Sequence, residues 1–127
     1  MTLATILVAD VSNFLVKQVF DRERPNSRYP EPQPLLHPPS SNSFPSGHAA
    51  TSFACATVIG ASVPRLRVPL YVLAALIAWS RVYVGVHYPL DAIAGAAWGV
   101  LVGLVLVRAL PRLAEALLRS LRARRQG

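Results

Sequence analysis

The sequence is poor in cysteine and in acidic residues. Its 127 residues include one cysteine, Cys55, and six Asp and Glu together. A single thiol excludes a disulfide framework and a metal cluster held by several thiolates. Cys55 lies in an apolar run, and we interpret it as a small packing residue. The chain also lacks internal repeats and the alternation of apolar and polar residues typical of strands, so β structure is not expected.

Charged residues are few, and most of them are basic. Lys and Arg number 13, the formal net charge is +7, and 15% of residues are charged against 53% hydrophobic. The mean hydropathy of +0.39 is high for a soluble domain, and the length allows one domain at most. In a soluble protein this balance would suggest a nucleic-acid partner. The apolar bulk favours an anionic membrane surface instead, and no nucleic-acid partner is expected.

Four apolar runs have about the length of helices that cross a membrane. They cover residues 1–20, 46–63, 68–84 and 89–110. These runs predict an all-α fold, an integral-membrane helical bundle of about four transmembrane helices, in one domain at 1–110. The first run is not expected to be a signal peptide, because no basic segment precedes it and Asp10 falls within it.

Two segments differ in composition from the apolar runs. Residues 21–45 hold seven of the eleven prolines, which predicts an extended extramembrane loop, long enough to cover a site. Residues 111–127 combine five arginines with leucines at four-residue spacing. This pattern predicts a basic amphipathic helix on an anionic lipid surface. The alternative for this tail is a frayed, solvated end.

The basic residues also indicate an orientation in the membrane. If each apolar run crosses once, Arg65, Arg67 and the basic tail lie on the same side. Positive charge is enriched on the cytoplasmic side of membrane proteins, so we expect a cytoplasmic C-terminus. The loop at 21–45 and the start of the fourth run then lie on the extracytoplasmic face.

Three polar groups fall on that outer face. They are Lys17 with Arg24 and Pro25, then Pro45–His48, then Ser80, Arg81, His87 and Asp91. Arginine offers a fork of donors that matches phosphate oxygens, and lysine adds a point charge. Ser46 and Gly47 open a helix, whose free N–H groups attract an anion that the glycine allows to approach closely. Together these residue types predict a phosphate site.

Two histidines accompany the cations. Asp91 follows His87 by four residues, and a carboxylate that accepts a ring N–H leaves the other ring nitrogen nucleophilic. His48 is free to protonate a leaving oxygen. Taken singly, a histidine at a helix end is usually structural, and Arg81 could be an interfacial anchor. Because intramembrane ionisable groups are costly, a function is expected for the set.

The motifs K-x6-R-P at 17–25, P-S-G-H at 45–48 and S-R-x5-H-x3-D at 80–91 occur in this order. In these motifs the chain resembles the type 2 phosphatidic acid phosphatase family, which shares its site with vanadium haloperoxidases. Membrane members of the family commonly have six spanning helices, whereas this chain offers four. Pairing with a second copy could restore the missing packing, so a homo-oligomer is considered.

The resemblance implies a role for each matching residue. His87 attacks phosphorus to form a phosphohistidine, Asp91 orients His87, and His48 is the general acid. The phosphate is bound by Lys17, Arg24, Ser46, Gly47 and Arg81. No metal and no cofactor is implied.

The resulting hypothesis is a membrane-bound phosphatase acting on a phosphomonoester or diphosphate of a lipid, either polyprenyl diphosphate or a phosphatidic acid-like lipid. One alternative is a vanadate-dependent haloperoxidase, which is disfavoured because those members are soluble. The other is a non-catalytic membrane scaffold, against which the complete set of site residues argues. The role of Asp10, structural or catalytic, stays open.

Overall fold

A computed structural model describes residues 2–20, 22–28 and 42–126, and most of these residues are helical, with no strand among them. The helices are α1 (Thr2–Val19), α2 (Pro25–Arg28), α3 (Gly47–Ser62), a 3-10 turn (Pro64–Leu66), α4 (Arg67–Tyr83) and α5 (Pro89–Gln126). The predicted all-α fold is confirmed. Helix α2 lies within the predicted loop at 21–45, so this part of the loop is helical. Residues 29–41 lie outside the described residues.

Helix α3 is the centre of the bundle. It packs against α1, α4 and α5, whereas α1 and α4 do not pack against each other within the described chain. Three alanines of α3, Ala49, Ala50 and Ala54, are fully buried. Small side chains let three neighbours approach one helix closely. The space between α1 and α4 is therefore a cleft with α3 as its floor.

The contact between α3 and α5 depends on glycine. A Cβ atom added at Gly95 would collide with the carbonyl oxygen of Ser46, and one added at Gly99 would collide with that of Ala50. The backbones therefore meet at a distance that any larger residue would prevent. Asp91, one turn before Gly95, is fully buried. This carboxylate therefore faces the bundle interior.

Large apolar side chains cover the outside of the bundle. Leu3 and Phe14 on α1, Trp79 on α4 and Ile93 on α5 are all more than half exposed. Among the residues that the structure describes, two segments are long and apolar enough to cross a membrane, Pro64–Tyr83 and Pro89–Arg112. The count of four spanning helices stays a prediction.

Helix α5 differs from the expectation in one respect. It continues through Pro111 to Gln126, so the basic tail at 111–127 extends the fourth helix instead of forming a separate one. A proline removes one N–H donor and usually bends or ends a helix. Here the flanking residues are mainly Ala, Leu, Arg and Glu, which are strong helix formers. The contact of this tail with anionic lipid stays a prediction.

Candidate active site

One cavity of about 660 Å³ opens in the cleft between α1, α3 and α4. Six of the eight predicted site residues line it: Lys17, Arg24, Gly47, His48, Arg81 and His87. The other two, Ser46 and Asp91, are fully buried. They adjoin the cavity, since each lies beside or contacts a lining residue. The three motifs, which are far apart in sequence, thus meet at one end of the bundle.

The cations approach the cavity from three elements. Lys17, in the last turn of α1, donates from Nζ to the carbonyl of Asn42 at 3.1 Å. Arg24 is 5% exposed and donates from Nη1 to the carbonyl of Val86 at 3.0 Å. Burial lowers the pKa of the Arg24 guanidinium, while the charge of Asp91 acts in the opposite direction. On α4, Nε of Arg81 is buried without a hydrogen-bond partner among the described residues. These donors are suited to an anion.

The start of α3 supplies backbone donors. Ser46 is the N-cap residue, and its side chain forms no capping hydrogen bond. Its own N–H donates to the carbonyl of Asp91 at 2.9 Å, which ties α3 to the first turn of α5. The N–H groups in the first turn of a helix have no partner within that helix. Since Gly47 lines the cavity, these groups add to an anion site.

His87 is held deep in the site, in the turn between α4 and α5. It is 5% exposed, and its N–H donates to the carbonyl of Arg81 at 3.2 Å. Nε2 lies 3.4 Å from Nη1 of Arg24. Burial, followed by the charges of Arg24 and Lys17, lowers the pKa of His87 to about 4. The imidazole is therefore neutral near pH 7, which a nucleophile requires.

Asp91 has more partners than the sequence predicted. Oδ2 lies 3.7 Å from Nδ1 of His87, which is longer than a hydrogen bond. The carboxylate also accepts from Nη1 of Arg22 at 2.7 Å, from the N–H of Tyr88 at 2.9 Å and from Oγ of Ser43. Sequence reasoning missed Arg22 and Ser43. The need of a buried carboxylate for a cationic partner could have indicated Arg22, which lies within the first motif.

His48 and Asp10 line the cavity on the side of α3 and α1. His48, in the first turn of α3, is exposed, in contrast to His87. Asp10 accepts a hydrogen bond from Oγ1 of Thr51 on α3. Asp10 thus has a structural partner in Thr51.

Sequence comparison gives an independent assignment. Residues 1–115 match the family model of the PAP2 superfamily. The chain is 37% identical over 102 residues to a decaprenylphosphoryl-5-phosphoribose phosphatase of Mycobacterium tuberculosis, covering 80% of this chain and 55% of that protein. It is 39% identical over 92 residues to an undecaprenyl-diphosphatase of Sulfolobus acidocaldarius, covering 71% and 42%. The chain spans about half the length of these relatives.

Solved structures agree with this assignment. A transmembrane PAP2-type phosphatidylglycerolphosphate phosphatase from Bacillus subtilis superimposes with a TM-score of 0.71 at 30% identity, over 87% of this chain and 57% of that one. Aquifex aeolicus LpxE gives a TM-score of 0.71 at 34% identity, over 82% and 63%. The chain belongs to the PAP2 superfamily, and the resemblance carried by its three motifs is confirmed.

Proposed function

We propose that this member of the PAP2 superfamily is a membrane-bound lipid phosphatase that cleaves a phosphomonoester or diphosphate of a lipid through a phosphohistidine intermediate. The observation that supports it is a cavity lined by three cations and two histidines. The related proteins are named for activity on a decaprenylphosphoryl phosphoribose and an undecaprenyl diphosphate. A polyprenyl diphosphate and a phosphatidic acid-like lipid are therefore both candidate substrates.

The first step is binding of the phosphate. Lys17, Arg24 and Arg81 neutralise its charge, and the first-turn N–H groups of α3 donate to its remaining oxygens. Charge that develops on the equatorial oxygens in the transition state is stabilised by donors already in place. The buried, unpaired Nε of Arg81 fits this role, since a bound oxygen would satisfy it.

The second step is attack by His87. A bond forms between Nε2 and phosphorus, and the bond from phosphorus to the lipid oxygen breaks. His48 gives its proton to that oxygen, so the lipid leaves as an alcohol, or as a monophosphate if the substrate is a diphosphate. Asp91 stabilises the positive charge on the ring of His87, and a contraction of the 3.7 Å separation would form the hydrogen bond to Nδ1.

The third step is hydrolysis of the phosphohistidine. His48, now neutral, takes a proton from a water molecule, and the water oxygen forms a bond to phosphorus as the bond to Nε2 breaks. Inorganic phosphate leaves, and both histidines return to their starting states. The exposure of His48 supports this role, since the group must exchange protons with solvent. The independence from a metal ion or cofactor stays a prediction.

We place the site on the extracytoplasmic face, with all four long helices in the membrane and the C-terminus in the cytoplasm. Helix α3 leads away from the site to the arginines at 65 and 67, and α4 returns to it. Cysteines introduced at Glu23 and at Arg65, in a Cys55→Ala background, test this. A membrane-impermeant thiol reagent should label the first in intact cells and the second only after lysis; the reverse order contradicts the orientation. Association of two copies also stays a prediction.

The function is tested by phosphate release from a panel of lipid phosphates and diphosphates. The purified full chain in detergent, with EDTA present, should hydrolyse at least one of them. His87→Ala should abolish release, and Arg65→Gln, an exposed residue beyond the far end of α3, should not alter it. No release from any lipid, with or without added divalent metal, would refute the proposal. Release that persists in His87→Ala would refute the mechanism.

A further inference from the structure

The polar lining of the cavity is divided into donors and acceptors. At the end near His87, the lining groups are the donors Lys17, Arg24 and Arg81. Further along the same helices, the cavity is lined by Asp10, Thr51 and Ser52. Thr51 and Ser52 come one turn after the start of α3, and the hydrogen bond between Asp10 and Thr51 holds α1 and α3 together at this level.

Asp10, Thr51 and Ser52 form a second level of the cavity, and the hydroxyl hydrogens at this level already take part in hydrogen bonds within the protein. The hydroxyl of Thr51 donates to Oδ1 of Asp10. The hydroxyl of Ser52 donates to the carbonyl of His48 at 2.6 Å. A hydroxyl has one hydrogen to give, and an ionised carboxylate has none, so a ligand meets only acceptor oxygens at this level. Within the described residues, Thr51 is also the single hydrogen-bond donor to Asp10.

Apolar groups follow at the third level. Ile6 lies one turn beyond Asp10 on α1, and Cys55 lies one turn beyond Thr51 and Ser52 on α3. On α1 and α3 the cavity is therefore lined in the order donors, acceptors, apolar groups, and on α4 Ile77 adds an apolar group one turn before Arg81. A ligand that fills the cavity should present an anion, then hydrogen-bond donors, then an apolar chain.

We infer that Asp10, Thr51 and Ser52 form a subsite for a hydroxyl-bearing group, such as glycerol or a sugar, attached directly to the scissile phosphate. This inference rests on the proposed phosphatase function and narrows its substrate class. Hydroxyl groups donate to the free acceptor positions of the subsite. A second phosphate, as in a diphosphate, would place negative oxygens beside the carboxylate of Asp10 with no donor to satisfy them. The subsite thus favours a polyol monoester and disfavours a diphosphate.

The test compares three lipids with one alkyl chain length: an alkyl glycerol phosphate, an alkyl monophosphate and an alkyl diphosphate. The parent protein should show kcat/KM in this descending order, with about tenfold between the first and the second, as expected for a hydrogen bond to a charged acceptor. A preference for the diphosphate overturns the inference. Hydrolysis of none of the three counts against the proposed function itself.

Asp10→Asn should reduce the preference for the glycerol phosphate over the diphosphate by about tenfold, because it removes the charge and adds a donor. The matched control on the same helix is Phe14→Leu, which changes an exposed outer side chain and should leave the ratio unaltered. An unchanged ratio in Asp10→Asn means that the Asp10–Thr51 pair is structural only, and overturns the inference.

A second variant avoids the contact between α1 and α3. Ser52→Ala removes one acceptor and leaves the hydrogen bond of Thr51 in place, and alanine is well tolerated in a helix. It should reduce the preference for the glycerol phosphate over the plain monophosphate by about fivefold. If Asp10→Asn does not fold, an unchanged ratio in Ser52→Ala overturns the inference.

Discussion

The two histidines of the cavity have opposite surroundings. His87 is 5% exposed and lies between Arg24 and Asp91, whereas His48 is exposed in the first turn of α3. The buried ring is kept neutral by its surroundings. The exposed ring is accessible to water at the cavity. In the proposed mechanism these are the needs of a nucleophile and of an acid–base group, so the environment separates two chemically identical side chains.

The contrast also concerns how firmly each ring is held. The backbone of His87 is fixed by hydrogen bonds to Arg81, and the buried Asp91 lies behind its ring. Asp91 is in turn held by Arg22 and Ser43. His48 has no comparable support among the described residues beyond its place in α3. Attack on phosphorus needs a fixed line of approach, whereas proton transfer tolerates movement between water and substrate.

Removal of the nucleophile should have the largest effect. His87→Ala leaves no atom to form the covalent intermediate, and we expect kcat to fall by about 10⁴-fold or more. Because the attack itself is lost, the fall should be equally large for lipid substrates and for an aryl phosphate with a good leaving group. Steady-state phosphate release measures both. A fall that disappears with the aryl phosphate would assign His87 to leaving-group protonation.

Removal of His48 should be less severe and should depend on the substrate. His48→Ala should lower kcat by about 10²- to 10³-fold with a lipid alcohol as leaving group. With an aryl phosphate the oxygen leaves without a proton, so the fall should be much smaller for the first step. Burst kinetics separate that step from hydrolysis of the intermediate. Equal losses in every substrate would contradict the division of roles between the two histidines.

Arg22 is the next test, since it acts on His87 through Asp91. Arg22→Gln removes the cation that lies 2.7 Å from the buried carboxylate, so the orientation of His87 should be less well fixed. We expect kcat to fall about tenfold with little change in KM, because Arg22 does not line the cavity. Arg28→Gln, an exposed arginine of α2, is the control. A change in KM alone would show that Arg22 binds substrate instead.

The meeting of the three motifs at one cavity could be predicted from sequence, because most of their residues carry a charge or a titratable ring. The inward direction of Asp91 was also predictable, since Gly95 and Gly99 repeat at helical spacing and identify the face of close contact. Ser43 could not be found in this way, and Arg22 only through the need of a buried carboxylate for a cation. Arg22 and Ser43 contact Asp91 from positions 69 and 48 residues away in the chain, and no local pattern records such contacts.

Two further features of the protein could be seen only in the structure, for the same reason. A proline normally marks the end of a helix, so composition placed a boundary at Pro111, which α5 passes through. The pairing of Asp10 with Thr51 joins residues 41 positions apart. Such partners are determined by the packing of α1 on α3. The sequence alone showed only that Asp10 shares a face of α1 with Lys17.

The smallest expected effect is on pH dependence, and it tests the environment of His87 directly. The pKa of this ring is lowered to about 4, mainly by burial and then by Arg24 and Lys17, with Asp91 acting in the opposite direction. In the proposed mechanism the neutral ring is the nucleophile, so activity should be lost as pH falls through this value. At pH 5 about 90% of His87 should still be neutral, against about 3% for an ordinary histidine.

The profile of kcat/KM against pH, corrected for ionisation of the substrate, should therefore show no loss of activity between pH 7 and pH 5. Arg24→Gln removes a positive charge that disfavours the imidazolium, so the pKa of His87 should rise and the acid limb should move to higher pH. The position of the acid limb shows this rise in the pKa of His87 even if Arg24→Gln also lowers the overall rate. Arg65→Gln, at the far end of the bundle, should leave the limb in place. An acid limb near pH 6.5 in the parent would mean that the surroundings of His87 do not lower its pKa, and the contrast between the two rings would be lost.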